Sequence, residues 1–169
     1  RVLELEGQLN EARTKKERVR AMAELTKAGY VYGISNIGSF GENVYKIGMT
    51  RRLDPMDRVR ELGDASVPFK FDVHAMVYSD DAVAIENAFH QHFADRNVNF
   101  VNMKQEFFQV SLDEVQTFVA AREFKMAFTR LREAREYRQT QAHRQLLQAE
   151  ARHPNRDKER ALAVEAAHA

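Results

Sequence analysis

The chain has no cysteine, no apolar run near the roughly 18 residues that a membrane span requires, and almost no net charge. Each shortage excludes something. Without cysteine there is no disulfide framework, no thiolate metal site and no thiol nucleophile, a composition that suits a reducing cytoplasm. Twenty-six Lys and Arg against 25 Asp and Glu leave a formal charge of +1, so the whole-chain field does not attract a polyanion, and any nucleic-acid site must be local. The opening Arg1-Val2-Leu3-Glu4 has no signal-peptide core. It lacks Met and starts inside a helical pattern, from which the chain is expected to be a segment of a longer protein.

What is present is amphipathic order. Val2, Leu5, Leu9, Ala12, Lys16, Val19 and Ala23 recur at spacings of three and four, so residues 1–27 are expected to form a helix, packed on its own domain or continuing an upstream coiled segment. Lys16 in that seam argues against an isolated coiled coil. Gly29 is expected to end the helix.

Tyr30-Val31-Tyr32-Gly33-Ile34-Ser35 and Val44-Tyr45-Lys46-Ile47-Gly48-Met49 read as two strands of an antiparallel hairpin across the Gly38-to-Asn43 loop. Asp54-Pro55 starts a helix whose buried stripe is Met56, Val59 and Leu62. From Phe69 to Tyr78 apolar and polar residues alternate, which predicts a third strand with one apolar face and His74 on the other. Ser79 or Asp80 caps a helix with Ala82, Ile85, Phe89 and Phe93 inward and Glu86 and His90 together beside that stripe. Glu106 to Val110 is a short closing strand. Ser111-Leu112-Asp113-Glu114 is a capping box, and the apolar positions from Val115 to Leu131 predict a long helix running to the break at His153-Pro154. A last helix is expected over 156–167. The order β-β-α-β-α-β, with segments too short for doubly wound crossovers, predicts a small mixed α/β (α+β) core: a sheet of three to four short strands with helices packed on it. The resulting division is 1–27, 28–112 and 113–169.

Two hairpin motifs followed by Arg58 on one helix and Glu86 on a later one resemble the GIY-YIG nuclease superfamily. The Lys46-Ile47-Gly48-Met49-Thr50 form, the Glu86-to-His90 spacing and Glu106-Phe107-Phe108 resemble its phage-T5-orf branch more narrowly. The likeness covers about half the chain. It also extends to the nuclease end of bacterial membrane-associated anti-phage nucleases, which implies a role in anti-phage defence. In that case the substrate would be phage DNA and the full-length protein would sit at the inner face of a membrane. The first motif has Tyr30-Val31-Tyr32 where the family has Gly-Ile-Tyr. Aligning the second on Ile47-Gly48 puts Lys46 at the family's tyrosine and Tyr45 one residue earlier. Strand alternation admits only one of Tyr45 and Lys46 to the site.

The resemblance implies a metal-dependent endonuclease, and phosphodiester hydrolysis needs parts that these residues match. Glu86 is the expected ligand of Mg²⁺ or Mn²⁺, hard cations that keep most of their waters and accept one or two carboxylates. Arg58 would grip the scissile phosphate with its planar fork. Tyr32 would orient or deprotonate water, and Lys46 would hold phosphate or favour the phenolate. Tyr45 is the alternative second phenol, and His90 a partner of Glu86 or a proton carrier. Lys46, Thr50, Arg51, Arg52 and Arg58 form a local basic surface for DNA backbones. The bland alternatives are ordinary strand packing for Tyr32 and Tyr45, a four-apart pair for Glu86 and His90, and core or ion-pair roles for His74 and His92. Two rival functions share these residues: a non-catalytic nucleic-acid-binding module, and an interaction domain whose outer helices self-associate.

Overall fold

A computed structural model describes all residues except 65, 153–155 and 168–169, together with the side chains of 24 and 156–161. The chain divides into two units, Arg1–Glu133 and Ala134–Ala169.

In the first unit, α1 (Val2–Lys27) precedes β1 (Gly29–Ser35), a short α2 (Ile37–Phe40) and β2 (Val44–Thr50). Then come α3 (Pro55–Asp64), β3 (Asp72–Ser79), α4 (Ala82–His92), β4 (Phe107–Gln109) and α5 (Leu112–Ala121). The strands lie in the order β3-β1-β2-β4 and every neighbouring pair is antiparallel, so the core combines helices with a wholly antiparallel sheet. The expected hairpin is the centre of this sheet, with Tyr32 opposite Gly48 and Ile34 opposite Lys46. Side chains alternate across a strand, so this register gives the sheet two distinct faces. One buries Val31, Tyr45 and Ile47 under α4 and α5, against Phe89, Phe108 and Phe118. The other gathers Tyr32, Ile34 and Val59 of α3 with Phe71, Val73 and Met76.

In the seam of α1, Leu5 and Val19 are 61% and 62% exposed. Two expectations need correction. The third strand does not hold one apolar face. Its register against β1 slips between Gly33 and Ile34, so Val73 joins the α3 side while His74 is buried on the other. A bulge of this kind rotates everything on one side of it, which strict alternation cannot anticipate. Finally, α5 stops at Ala121. Glu123 takes a left-handed φ of 56°, and Phe124, Met126 and Phe128 pack on the core from an extended segment. The Phe124-to-Phe128 spacing fits a helix, but Met126 between them reveals period two. Gly33 permits this cover, because a Cβ there would lie 2.9 Å from the Phe128 ring.

The capping box of α5 is present, with Glu114 N–H donating to Ser111 and the Glu114 carboxylate accepting from the Ser111 N–H. Asp81, rather than Ser79 or Asp80, caps α4 by accepting from Ala84 N–H at 3.1 Å. In the second unit α6 (Arg135–Arg152) and α7 (Arg156–Ala167) carry exposed Leu146, Leu147 and Leu162. The break expected at His153-Pro154 lies outside the described residues. No described helix is long and apolar enough to cross a membrane.

Candidate active site

β4 pairs with β2 over Val44–Lys46, and among the described residues no strand covers that edge of β2 from Ile47 onward. That opening is where the candidate site side chains meet. His90, on the last turn of α4, places Nε2 at 2.9 Å from the Ile47 carbonyl. A carbonyl only accepts, so Nε2 carries the proton and donates, which leaves Nδ1 for the neighbouring acids. Nδ1 stands 3.0 Å from Glu106 and 3.8 Å from Glu86. Each of Glu86, His90 and Glu106 offers a ligand atom within 4.8 Å of the others. Two carboxylate oxygens and one imidazole nitrogen, with the far side of the ring held by a backbone carbonyl, form a donor set that fits a divalent cation.

Charge at this edge is shared. Burial raises the Glu86 pKa, opposed by His90 and reinforced by Glu106, with Lys46 and Arg51 drawing it back. Burial lowers the Lys46 pKa, while Glu106 and Glu86 favour its cation. Its ammonium lies 5.2 Å above the Phe107 ring, over the strand that begins right after Glu106.

Tyr32 completes the site from β1. Its ring lies across Gly48, where a Cβ would come within 2.5 Å of the phenol oxygen. The glycine of the second motif is therefore the space that the tyrosine of the first motif occupies. Burial raises the Tyr32 pKa, and the Arg58 guanidinium, hydrogen-bonding the phenol, pulls it partly back. At neutral pH this favours a phenol that donates or orients over a ready phenolate. Arg58 also reaches Glu61 at 3.3 Å.

The structure thus brings together Tyr32, Lys46, Arg58, Glu86 and His90. Tyr45 is not with them. It faces the opposite core, 2% exposed, its hydroxyl accepting from Arg132 at 2.8 Å and its ring edge-on to His74 at 5.3 Å. Of the expected basic surface, Arg51 lies within electrostatic reach of Glu86, and its Nε donates to the Thr26 carbonyl at 2.5 Å. Arg52 pairs with Glu61, and Thr50 is buried with its hydroxyl accepting from Arg52 N–H.

His74 is no candidate for proton transfer. Its Nδ1 donates to the Thr129 carbonyl and its Nε2 accepts from Ser35, both at 2.7 Å, and burial lowers its pKa. His92 stacks on Phe118 at 4.4 Å. Sequence reasoning passed over Glu106 as a ligand. Its signals were its place in the Glu106-Phe107-Phe108 motif and its position next to the closing strand that pairs with Lys46.

The model of the T5orf172 domain matches residues 29–123, from the first residue of β1 to the left-handed turn after α5. No curated protein and no solved structure matches the chain.

Proposed function

The chain belongs to the T5orf172 domain family, which is associated with GIY-YIG-like nuclease-type domains, and from that membership we propose that it is a metal-dependent endonuclease hydrolysing DNA phosphodiester bonds. The observation that carries the reading is the convergence of Glu86, His90 and Glu106 within 4.8 Å beside the Tyr32–Arg58 pair.

Glu86, Glu106 and Nδ1 of His90 would hold Mg²⁺ or Mn²⁺, whose contribution when bound is Lewis-acid polarisation of a phosphoryl oxygen and of water. Everything else falls to the protein. Arg58, its fork already spanning a phenol and a carboxylate, exchanges these for phosphate oxygens and neutralises the charge that builds on them. Lys46, whose cation Glu106 and Glu86 favour against the lowering by burial, would supply a second positive charge toward the same phosphate. Tyr32 keeps its proton at rest and orients the attacking water. A cation held beside Arg58 would lower that pKa, because added positive charge offsets the burial that raised it. The Ile47 carbonyl holds the imidazole of His90 in one tautomer, so Nδ1 needs no reorientation before binding.

Cleavage of supercoiled plasmid with Mg²⁺ or Mn²⁺ tests the assignment. Glu86→Ala should cut at least about a hundredfold more slowly than wild type, with the fold kept as judged by circular dichroism. Equal rates would remove Glu86 from the mechanism. One observation favours a non-catalytic DNA-binding module instead: Tyr45, the second motif's tyrosine, is spent on the core. Salt-dependent DNA binding with no nicking under any divalent metal would select that alternative.

A further inference from the structure

Beside the metal-ligand cluster runs a groove of about 820 Å³ that the proposed chemistry does not use. Its floor is aromatic. Phe40 of α2, Phe71 before β3 and Phe107 of β4 cluster with ring centroids 4.8 Å (Phe40 to Phe107), 6.2 Å (Phe40 to Phe71) and 6.4 Å (Phe71 to Phe107) apart. Phe40 is 40% exposed there, and Val98 on the wall is 56% exposed. A ligand pocket of a few hundred cubic ångströms, apolar with a few polar groups, is of ordinary small-molecule size.

Two features say what kind of group fits. First, the groove is continuous with the cations: Arg58 lines it, and Lys46 stands over Phe107. A ligand would therefore be aromatic and flat in one part and anionic in the next. Second, the far wall carries amides. Asn99 and Asn102 spend their side-chain oxygens on backbone N–H groups of their own loop, and among the described residues no acceptor takes their amide N–H donors. Such donors match ring nitrogens and carbonyl oxygens on the edge of a nucleobase. The same loop ends at Glu106, so the wall of the groove and one member of the ligand cluster belong to one stretch of chain.

Resting on the nuclease reading, we propose that this groove receives one unstacked base of the substrate next to the phosphate held at Arg58. The preferred substrate is then a DNA single strand or a duplex with an extrahelical base. A base inside a duplex keeps both faces stacked on its neighbours and cannot offer them to Phe40 and Phe107, whereas an unpaired base stacks on aromatic rings whatever its identity. Phosphate contacts by Arg58 and Lys46 position the strand, and the ring contacts choose its state of pairing.

The test is equilibrium binding of the full chain in EDTA, where no cutting occurs, to an oligothymidylate, a duplex of equal length and a fully abasic strand of equal length. The oligothymidylate should bind at least about tenfold tighter than either of the others. Phe40→Ala should erase most of that advantage while leaving duplex and abasic binding within about twofold, which also reports an intact fold. Duplex or abasic binding as tight as oligothymidylate, or an advantage untouched by Phe40→Ala, overturns the proposal. The plasmid assay keeps the two readings apart. Cutting without any preference for bases leaves the nuclease and discards the groove. A preference lost in Phe40→Ala without cutting under any divalent metal keeps the groove on a binding module.

Discussion

The two faces of the sheet carry nearly the same chemical inventory and put it to opposite uses. Each has a buried tyrosine, an arginine bound to it and a histidine nearby. On the core face Tyr45 accepts from Arg132 and packs edge-on to His74, whose two ring nitrogens are both occupied by Ser35 and Thr129. At the open edge and on the α3 face, Tyr32 meets Arg58, while His90 spends one nitrogen on Ile47 and keeps the other beside two acids. The difference lies in completeness. A network in which every donor and acceptor is matched stabilises a fold, and one that stops a ligand short is a site.

Exchanging the two phenols should separate the faces most sharply. Tyr32→Phe is expected to slow plasmid cleavage by about a hundredfold, as for loss of a group that handles the attacking water. Tyr45→Phe should leave the rate within about threefold and instead cost roughly 1 kcal/mol of unfolding free energy through the lost Arg132 bond. Equal rate losses for the two variants would abolish the distinction.

Gly48→Ala probes the same contrast through packing alone. Its methyl group would enter the space of the Tyr32 ring, so cleavage should fall by about tenfold or more and stability by about 1–3 kcal/mol. If cleavage kept its wild-type rate despite the crowding, the position of Tyr32 would not matter to the reaction.

The smallest effect is in the pH dependence of stability, where the two regions have opposite signs. His74 is held below its ordinary pKa in the fold, so the unfolded chain takes up the proton first. Thermal stability should therefore decline as pH falls below about 6.5, and His74→Gln should flatten that slope. Glu86 is held above its ordinary value, so its contribution declines as pH rises through the raised pKa. Glu86→Gln should then melt higher than wild type by a few degrees at neutral pH without metal. Parallel melting curves for His74→Gln and wild type across this range would show that the core histidine does not titrate with unfolding.

Much of the architecture was legible in local pattern. The hairpin, the Asp54-Pro55 helix start and the Ser111–Glu114 box each depend on residues within a few positions of one another, where propensity and capping decide. The joint spacing of Tyr32, Arg58 and Glu86 likewise pointed to one site, although no single member of the set did. Local pattern misled wherever a distant partner intervened. The bulge at His74 turned a histidine expected on a polar face into the core, and the extended cover of Phe124, Met126 and Phe128 replaced the second half of a helix.

The amino-acid sequence alone determined the hairpin, the helix starts at Asp54-Pro55 and Ser111, and that a phenol, a guanidinium and an acid are available, because those properties reside in short-range periodicity and residue chemistry. Only the tertiary structure decided that Lys46 rather than Tyr45 faces Tyr32, that Glu106 joins Glu86 and His90, and that an aromatic groove adjoins them. The reason is physical: strand register selects the face on which each side chain lies, and register is settled by the whole sheet and the helices packed on it rather than by any one strand.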